Sequence, residues 1–462
     1  MPSRRRLHPV FLYAALLSLG MSACHRPVTA PEAFEPGWMS AEATPDPALE
    51  QWIDDRAGRD DRPIASAGDT DRPSLEAPAL RRLVLERHPD IAAAHADLDR
   101  ARAHLTASGA WPNPELEARY LLQGPGEGEL EASLALTLPI SGRIAAARHA
   151  ARIELTIAQQ ALETTRHQVL LELDLLLVQL AHRRHRLALA ADLASSSQQL
   201  ATLVQQRQEA GLVDPLDVTI VLADAARDTG ALARAQANLA AVEGQIYSVA
   251  GLEPGISSLH PPALLHTHLS EDRQALLDSA VQTRPAWVQA RLELDRAEWV
   301  ARQASRARIP EPSLGPAMVG DPQAPSLGLR VGLPIPILAP GGAAYREALA
   351  ERDAAHHRLV AASREAPREI DALLAELTGL ESALHAMAGA SLGSARQAAR
   401  LARDRYQAGQ LDVLHLQSAR RAWADIETET IDLLLDIQRV QLELERAVGR
   451  PLQLTPSTSE IQ

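Results

Sequence analysis

The sequence predicts a mainly α-helical protein with a small β part, built from two copies of one unit. A short segment occurs twice, at 207–218 and 405–416, and each copy carries Arg-x-x-x-Gly followed by Asp. Both copies lie between long stretches of helical character. The chain has no proline between Pro139 and Pro215, which predicts a helix longer than a compact domain holds. Other stretches alternate apolar and polar residues with the period of a β-strand.

The composition narrows the class of protein. Only 3% of the residues are aromatic, which favours long helices with narrow packing seams over a thick globular core. The formal net charge is −13, so a nucleic-acid-binding surface is not expected.

The N-terminus has the pattern of a secretion signal. Arg4, Arg5 and Arg6 precede an apolar stretch at 10–20, which is too short to cross a bilayer as a mature helix. Small residues then lead to Cys24, the one cysteine of the chain. An ordinary signal peptide with an incidental cysteine is one interpretation. The favoured one is that the segment resembles a bacterial lipoprotein signal, which implies a lipidated, palmitate-bearing Cys24 and an outer-membrane destination.

The remaining chain divides into a tether and two repeats. The predicted segments are a signal peptide at 1–23, a Pro-rich tether at 24–74, a first repeat at 75–270 and a second repeat at 271–462.

In the first repeat, a helical stretch at 75–108 precedes two alternating segments, 115–122 and 129–138, that form a β-hairpin. The hairpin either lies on a soluble core or supplies two staves of a membrane barrel, with the apolar face toward lipid. A helical hairpin follows at 142–250, with its tip near Gly211, and its leucines are spaced as in a coiled coil.

The second repeat has the same order of predicted elements. Strands are predicted at 313–319 and 326–333, and a helical hairpin at 342–448 has its tip near Gly409. Pro316 weakens the first of these strands, and Pro367 predicts an interruption of the long helix in the form of a kink. Gly409 follows Gly211 by 198 residues, which indicates a tandem duplication.

Four strands per chain cannot close a membrane barrel, because lipid leaves no partner for an open sheet edge. If the hairpins enter the membrane, the protein must oligomerise. A dimer would supply eight strands and a trimer twelve, and the strand count alone does not choose between them.

The repeated topology resembles the outer-membrane factor (TolC-like) family of efflux channels. Supporting motifs are Leu-Thr-Leu-Pro-Ile at 136–140 and Gly-Leu-Pro-Ile-Pro at 332–336. The resemblance implies a homotrimer in the outer membrane of a Gram-negative bacterium, with a 12-stranded β-barrel joined to an α-helical barrel. It also implies a periplasmic adaptor and an inner-membrane transporter of the RND type as partners. Lipidation and the many histidines resemble the CzcC-type branch of heavy-metal efflux.

The resemblance assigns candidate sites to the tips. The residues expected to meet the adaptor are Arg207, Gly211, Leu212, Arg405, Gly409 and Gln410. The candidates for the pore constriction are Asp217, Asp412 and His415, where ordinary solvated charge is an equally good interpretation. A ring of His415 would titrate near neutral pH.

No enzyme, cofactor or metal site is predicted. Phosphate-binding loops and hydrolase motifs are absent from the sequence. His182 and His185 lie one turn apart, and the interpretation is a solvated helix face without a nearby carboxylate. The leading function is a conduit of a tripartite efflux system. The alternative is a structural periplasmic coiled-coil lipoprotein without a channel.

Overall fold

A computed structural model describes most of the two repeats. The described residues are 74–124, 127–211, 213–253, 258–262, 267–320, 326–337, 341–387 and 391–456. The predicted signal peptide, Cys24, all but the last residue of the tether, and Leu212 lie outside these ranges.

The described residues of the first repeat form four helices and four strands. In chain order these are β1 (Ser74–Glu76), α1 (Ala77–Arg87), α2 (Pro89–Ser108), β2 (Glu115–Gly124), β3 (Glu127–Thr137), α3 (Arg143–Glu209), α4 (Pro215–Val249) and β4 (Ser258–His260). Helix α3 has 67 residues, which at 1.5 Å per residue corresponds to about 100 Å.

The second repeat has the same order of elements, with its long helix in two parts. It contains β5 (Thr267–Leu269), α5 (Arg273–Thr283), α6 (Pro285–Arg306), β6 (Ser313–Gly320), β7 (Ser326–Gly332), α7 (Gly342–Ala386), α8 (Leu392–Gln407), α9 (Val413–Val448) and β8 (Leu454–Pro456). Strand β5 precedes the predicted boundary at 271 and is grouped with the second repeat because it pairs with β8. The mainly α-helical, duplicated fold predicted from the sequence is confirmed.

Pro367 does not end the helix that contains it. Helix α7 continues through Pro367 to Ala386, and α8 begins at Leu392. Pro367 therefore lies inside one continuous helix, and the kink expected there stays a prediction. Ala366 and Ile370 are buried on either side, and this packing keeps the segment helical despite the missing N–H of proline.

The long strands form one antiparallel sheet in the order β2-β3-β6-β7, so the two repeats share a continuous sheet. Pro316 pairs with Leu329 of β7, and the ladder to β3 skips positions 315 and 316. A Cβ on Gly315 would lie 1.6 Å from the Leu134 carbonyl oxygen. Glycine is therefore required where the strands of the two repeats meet.

Two small sheets lie at the repeat ends and are not predicted by the sequence. Strand β1 pairs in parallel with β4, and β5 pairs antiparallel with β8. Ser74, assigned to the tether, is the first residue of β1 and pairs with Ser258. Three residues are too few for a period of two to be recognised, so these strands read as parts of connectors.

The helices pack side by side in a definite order. Helix α3 packs against α2 and α4 on one side and against α6 and α9 on the other, and α7 packs against α6 and α9. Each repeat has its own apolar core, and a third core joins the two hairpin tips. Among the described residues, no helix combines the length and the hydropathy that crossing a bilayer requires.

Candidate functional site at the hairpin tips

Both tips are built by the same glycine turn. At the first tip the Gly211 N–H donates to the Gln208 carbonyl at 2.8 Å, and at the second the Gln410 N–H donates to the Arg405 carbonyl at 2.8 Å. Gly211 and Gly409 have φ of +71° and +73°, where a side chain would be strained. A Cβ at either would meet no atom within 4 Å, so backbone conformation rather than crowding demands glycine. Both glycines are exposed, and Gln410 is exposed beside the second.

An aspartate opens the return helix after each tip. Asp214 Oδ1 accepts from the Leu216 N–H at 2.8 Å, and Asp412 Oδ1 accepts from the His415 N–H at 2.8 Å. The Asp412 oxygen also lies 2.7 Å from His415 Nδ1. The backbone hydrogen bond from His415 is the main cause that lowers the pKa of Asp412 below its ordinary value. Asp412 therefore serves first as a helix cap.

Arg207 connects the first tip to the second. Its Nη1 donates to the Tyr406 carbonyl at 3.3 Å and its Nη2 to the Gln407 carbonyl at 3.2 Å. Its guanidinium carbon also lies 4.8 Å from the centre of the Tyr406 ring, a cation–π distance. Burial raises the pKa of Tyr406, and the nearby half-buried Asp217 adds to this effect. Asp217 is adjacent in sequence to Val218, which packs in the apolar core that contains Tyr406.

Arg405, the counterpart of Arg207, is in different surroundings. It is exposed, and within the described part of the chain its side chain makes no hydrogen bond or ion pair. His415 is 71% exposed at its side chain. The structure thus brings Arg207, Asp217 and the second tip together, and leaves Arg405, Gln410 and His415 facing solvent.

A polar joint above the tips was not predicted. Arg420 of α9 donates to the Leu193 carbonyl at 3.2 Å and to Ser197 Oγ at 2.9 Å, and lies 3.7 Å from Asp228. Arg421 pairs with Asp224 of α4. Burial lowers the pKa of Arg420. These contacts of the polar joint hold the second hairpin against the first.

A second link lies farther up, where the sequence interpretation of His182 is wrong. His182 is 3% exposed, and its Nε2 lies 2.7 Å from Asp432 Oδ1. Burial lowers the pKa of His182 more than the Asp432 carboxylate raises it. A partner 250 residues away cannot be seen in a local helix pattern. His185, by contrast, is exposed as predicted, and no group of three His, Cys, Asp or Glu among the described residues could hold a metal ion.

At the opposite end, the sheet has one apolar and one polar face. The apolar face carries residues of all four strands, among them Leu116, Tyr120, Leu134, Leu314, Leu327, Leu329 and Val331. Leu327 is 84% exposed, so no core formed by the described residues covers this face. On the polar face Arg330 pairs with Glu117 and donates to Ser133 Oγ at 2.7 Å.

This combination defines a class: duplicated helical-hairpin proteins that present an apolar-faced β-sheet at one end and paired tips at the other. A model of the outer membrane efflux protein family matches residues 80–252 and 276–450. The match spans both repeats and most of the chain. The chain belongs to the outer membrane efflux protein family, and it is the outer-membrane channel component of an efflux system.

Solved structures share the fold at low sequence identity. A membrane protein from Pseudomonas aeruginosa is 21% identical, with a TM-score of 0.70 over 85% of this chain and 96% of that one. VceC from Vibrio cholerae is 18% identical, with a TM-score of 0.68 over 82% and 97%. The outer-membrane channel OprN is 21% identical, with a TM-score of 0.69 over 84% and 98%. No curated protein sequence matches the chain.

Proposed function

We propose that three copies of the chain close into one conduit, with a 12-stranded β-barrel in the outer membrane and an α-helical barrel below it. The contacts inside one chain support this arrangement. At the junction between the repeats, α3 packs on α6 and α9, and β3 pairs with β6. The duplication leaves counterpart surfaces at the two edges: α7, α8 and β7 on one side, and α2, α4 and β2 on the other. Joining these edges between copies repeats the internal junction and closes the ring.

The strand faces support the placement in lipid. Leucine, valine and tyrosine side chains on one face are exposed in the chain, whereas Glu117, Arg330 and Ser133 interact on the other. Such alternation suits a barrel with lipid outside and water inside. Trp111 and Tyr120 stand exposed near the sheet, where aromatic residues meet the membrane interface. The alternative, a hairpin lying on a soluble core, needs a core against the apolar face. The described residues provide none, because Leu327 and Leu329 are exposed.

The N-terminal anchor is part of the proposal. Cys24 becomes the lipidated first residue of the mature chain, and its acyl chains hold the N-terminus at the inner leaflet of the outer membrane. Each buried CH₂ contributes about 0.8 kcal/mol, so several acyl chains give a lasting anchor.

At the far end, we propose that the tips meet a periplasmic adaptor coupled to an RND-type pump of the inner membrane. The docking surface comprises Leu212 together with the exposed residues Gly211, Gly409 and Gln410. Glycine lets a partner approach the backbone closely, and no atom of the chain occupies the space beside Gly211 or Gly409. Arg207, which hydrogen-bonds to the second tip, and the exposed Arg405 also belong to this surface.

The same tips form the narrow end of the conduit. Three copies of Asp217, Asp412 and His415 would place rings of charge there, and acidic rings favour cations. Because Asp412 caps α9 and Asp217 lies beside Tyr406, these two also maintain the tip structure. The cargo, whether a heavy metal as in the CzcC-type branch or a drug, is selected upstream. No catalytic step is proposed.

The observation that carries the proposal is the repeat junction with matching free edges. The test is reconstitution of the lipidated protein in planar bilayers, together with its mass in detergent by light scattering. The expected result is a trimer with discrete conductance steps. A protein that stays monomeric and never conducts would overturn the conduit and favour the structural lipoprotein. A tag inserted in the loop 123–128 should be accessible on intact cells.

A further inference from the structure

Within one chain, the arginine of the first tip hydrogen-bonds to the second tip, but the arginine of the second tip makes no such bond to the first. Arg207 reaches from the first tip to the carbonyl oxygens of Tyr406 and Gln407 in the second. The second tip carries an equivalent arginine, Arg405, and the first tip carries the equivalent acceptors at Gln208 and Glu209. Among the described residues the exposed Arg405 side chain makes no hydrogen bond or ion pair, so the counterpart contact is not made within the chain.

The correspondence between the tips holds along both arms of the hairpins. Val204 and Ala402 are both buried, as are Val218 and Leu416, and each pair is separated by 198 residues. The turn glycines keep the same separation and nearly the same φ. Counterparts can therefore be assigned residue by residue close to the tips.

Two apolar residues near the tips are exposed, although their counterparts in the other repeat are partly buried. Leu203 is partly buried against the core that joins the tips, whereas its counterpart Leu401 is 48% exposed. Arg420 is half-buried in the polar joint, whereas its counterpart Leu222 is 41% exposed. Leu401 lies on α8 and Leu222 on α4, the two outer helices of the single chain.

We propose that Arg405 of one protomer donates to the main-chain carbonyl oxygens of Gln208 and Glu209 of the next protomer. Leu222 and Leu401 are buried along the same seam. The partner is a second copy of this chain, and the template for the contact is the one that Arg207 makes inside each chain. This inference rests on the proposed trimer and adds the residues that close it at its periplasmic end.

The seam between protomers then differs in chemistry from the seam within one. Inside the chain, Arg420 meets Ser197 and Asp228. Between chains, the counterparts are Leu222, Ala395 and Ile426. The ion pair of Arg421 with Asp224 becomes a contact of Ala223 with Ala422. At the level of the polar joint the inner seam carries ion pairs and the outer seam apolar residues, and an arginine at the tip is common to both.

Cross-linking with a short bis-maleimide tests this placement on the full-length lipidated protein. The variant Arg405→Cys with Glu209→Cys places a thiol on each side of the proposed contact between protomers. The matched control, Arg207→Cys with Gln407→Cys, places thiols across the contact seen within the chain. The wild type contains only Cys24 and reports any background reaction.

The expected result is a covalent trimer for the first pair on a denaturing gel, and monomer mobility with an internal link for the control pair. Light scattering in detergent is measured on the same samples. A trimer by light scattering that yields no cross-link from the first pair overturns the inference and leaves the proposed function intact. A protein that is monomeric by light scattering overturns the proposed function itself.

Discussion

The first and second tips have the same turn and different surroundings. Both end a helix at a glycine with positive φ and restart it at an aspartate cap. Arg207 of the first tip is engaged by the second hairpin, whereas Arg405 of the second faces solvent in the chain. Local sequence therefore sets the turn, and the neighbour sets the role of the arginine. The same contrast extends to Arg420 in the inner seam and Leu222 on the outer edge.

The largest effect is expected at the inner seam. Arg420→Ala leaves Asp228 and Ser197 without their cation, and losing such charged hydrogen bonds should cost about 2–3 kcal/mol of unfolding free energy. Chemical denaturation followed by circular dichroism measures it. Leu222→Ala, at the counterpart position, is the control and should change the stability of the dissociated chain by less than about 0.5 kcal/mol. Equal losses for both would contradict the distinction between the seams.

The two turns should respond alike to loss of glycine. Gly211→Ala and Gly409→Ala force alanine into positive φ, and each should destabilise its tip by about 1 kcal/mol. Gly393→Ala is the control, because Gly393 lies in helix α8 rather than in a turn and nothing lies within 4 Å of a Cβ added there. This control should stabilise the protein by up to about 1 kcal/mol. Thermal unfolding distinguishes the opposite signs.

The His182–Asp432 link should make stability depend on acidity. Burial lowers the pKa of His182 below its ordinary 6.5, so the unfolded chain binds this proton more readily than the folded one. The contribution of His182 to the free energy of unfolding is fully present above pH 6.5. It is lost as the pH falls from 6.5 through the lowered pKa of the folded state. His182→Gln should flatten the melting temperature over that range, and His185→Gln should not. A profile of unchanged slope in His182→Gln would count against the assignment.

The smallest effects are expected from the tip arginines, and they should differ in kind. Arg207→Ala removes two hydrogen bonds to carbonyl oxygens and should lower the stability of the single chain by about 1 kcal/mol. Arg405→Ala should leave the dissociated chain unchanged and lower the temperature at which the trimer dissociates. Unfolding in denaturant and gel analysis of heated samples separate the two. If Arg405→Ala affects only adaptor binding, Arg405 does not close the ring.

Periodicity in the sequence is sufficient to locate the large elements. Leu116, Ala118 and Tyr120 alternate over enough positions to define β2, and the predicted hairpin arm from 142 to the tip near Gly211 agrees with α3 to within two residues. Short strands such as β1 lack that length. The burial of His182 depends on Asp432, which no local pattern connects to it. In the same way, Arg207 and Arg405 look equivalent in sequence because their difference arises only when the hairpins pack.

The fusion of two repeats into one chain also determines how many junctions of the ring a single mutation changes. In a ring of six identical chains, every substitution would appear at all six junctions at once. Fusion halves that number, so a change such as arginine at position 420 can alter alternate junctions while Leu222 keeps the others apolar. The duplicated chain can thus strengthen the junctions that fold with it and tune separately those that must assemble.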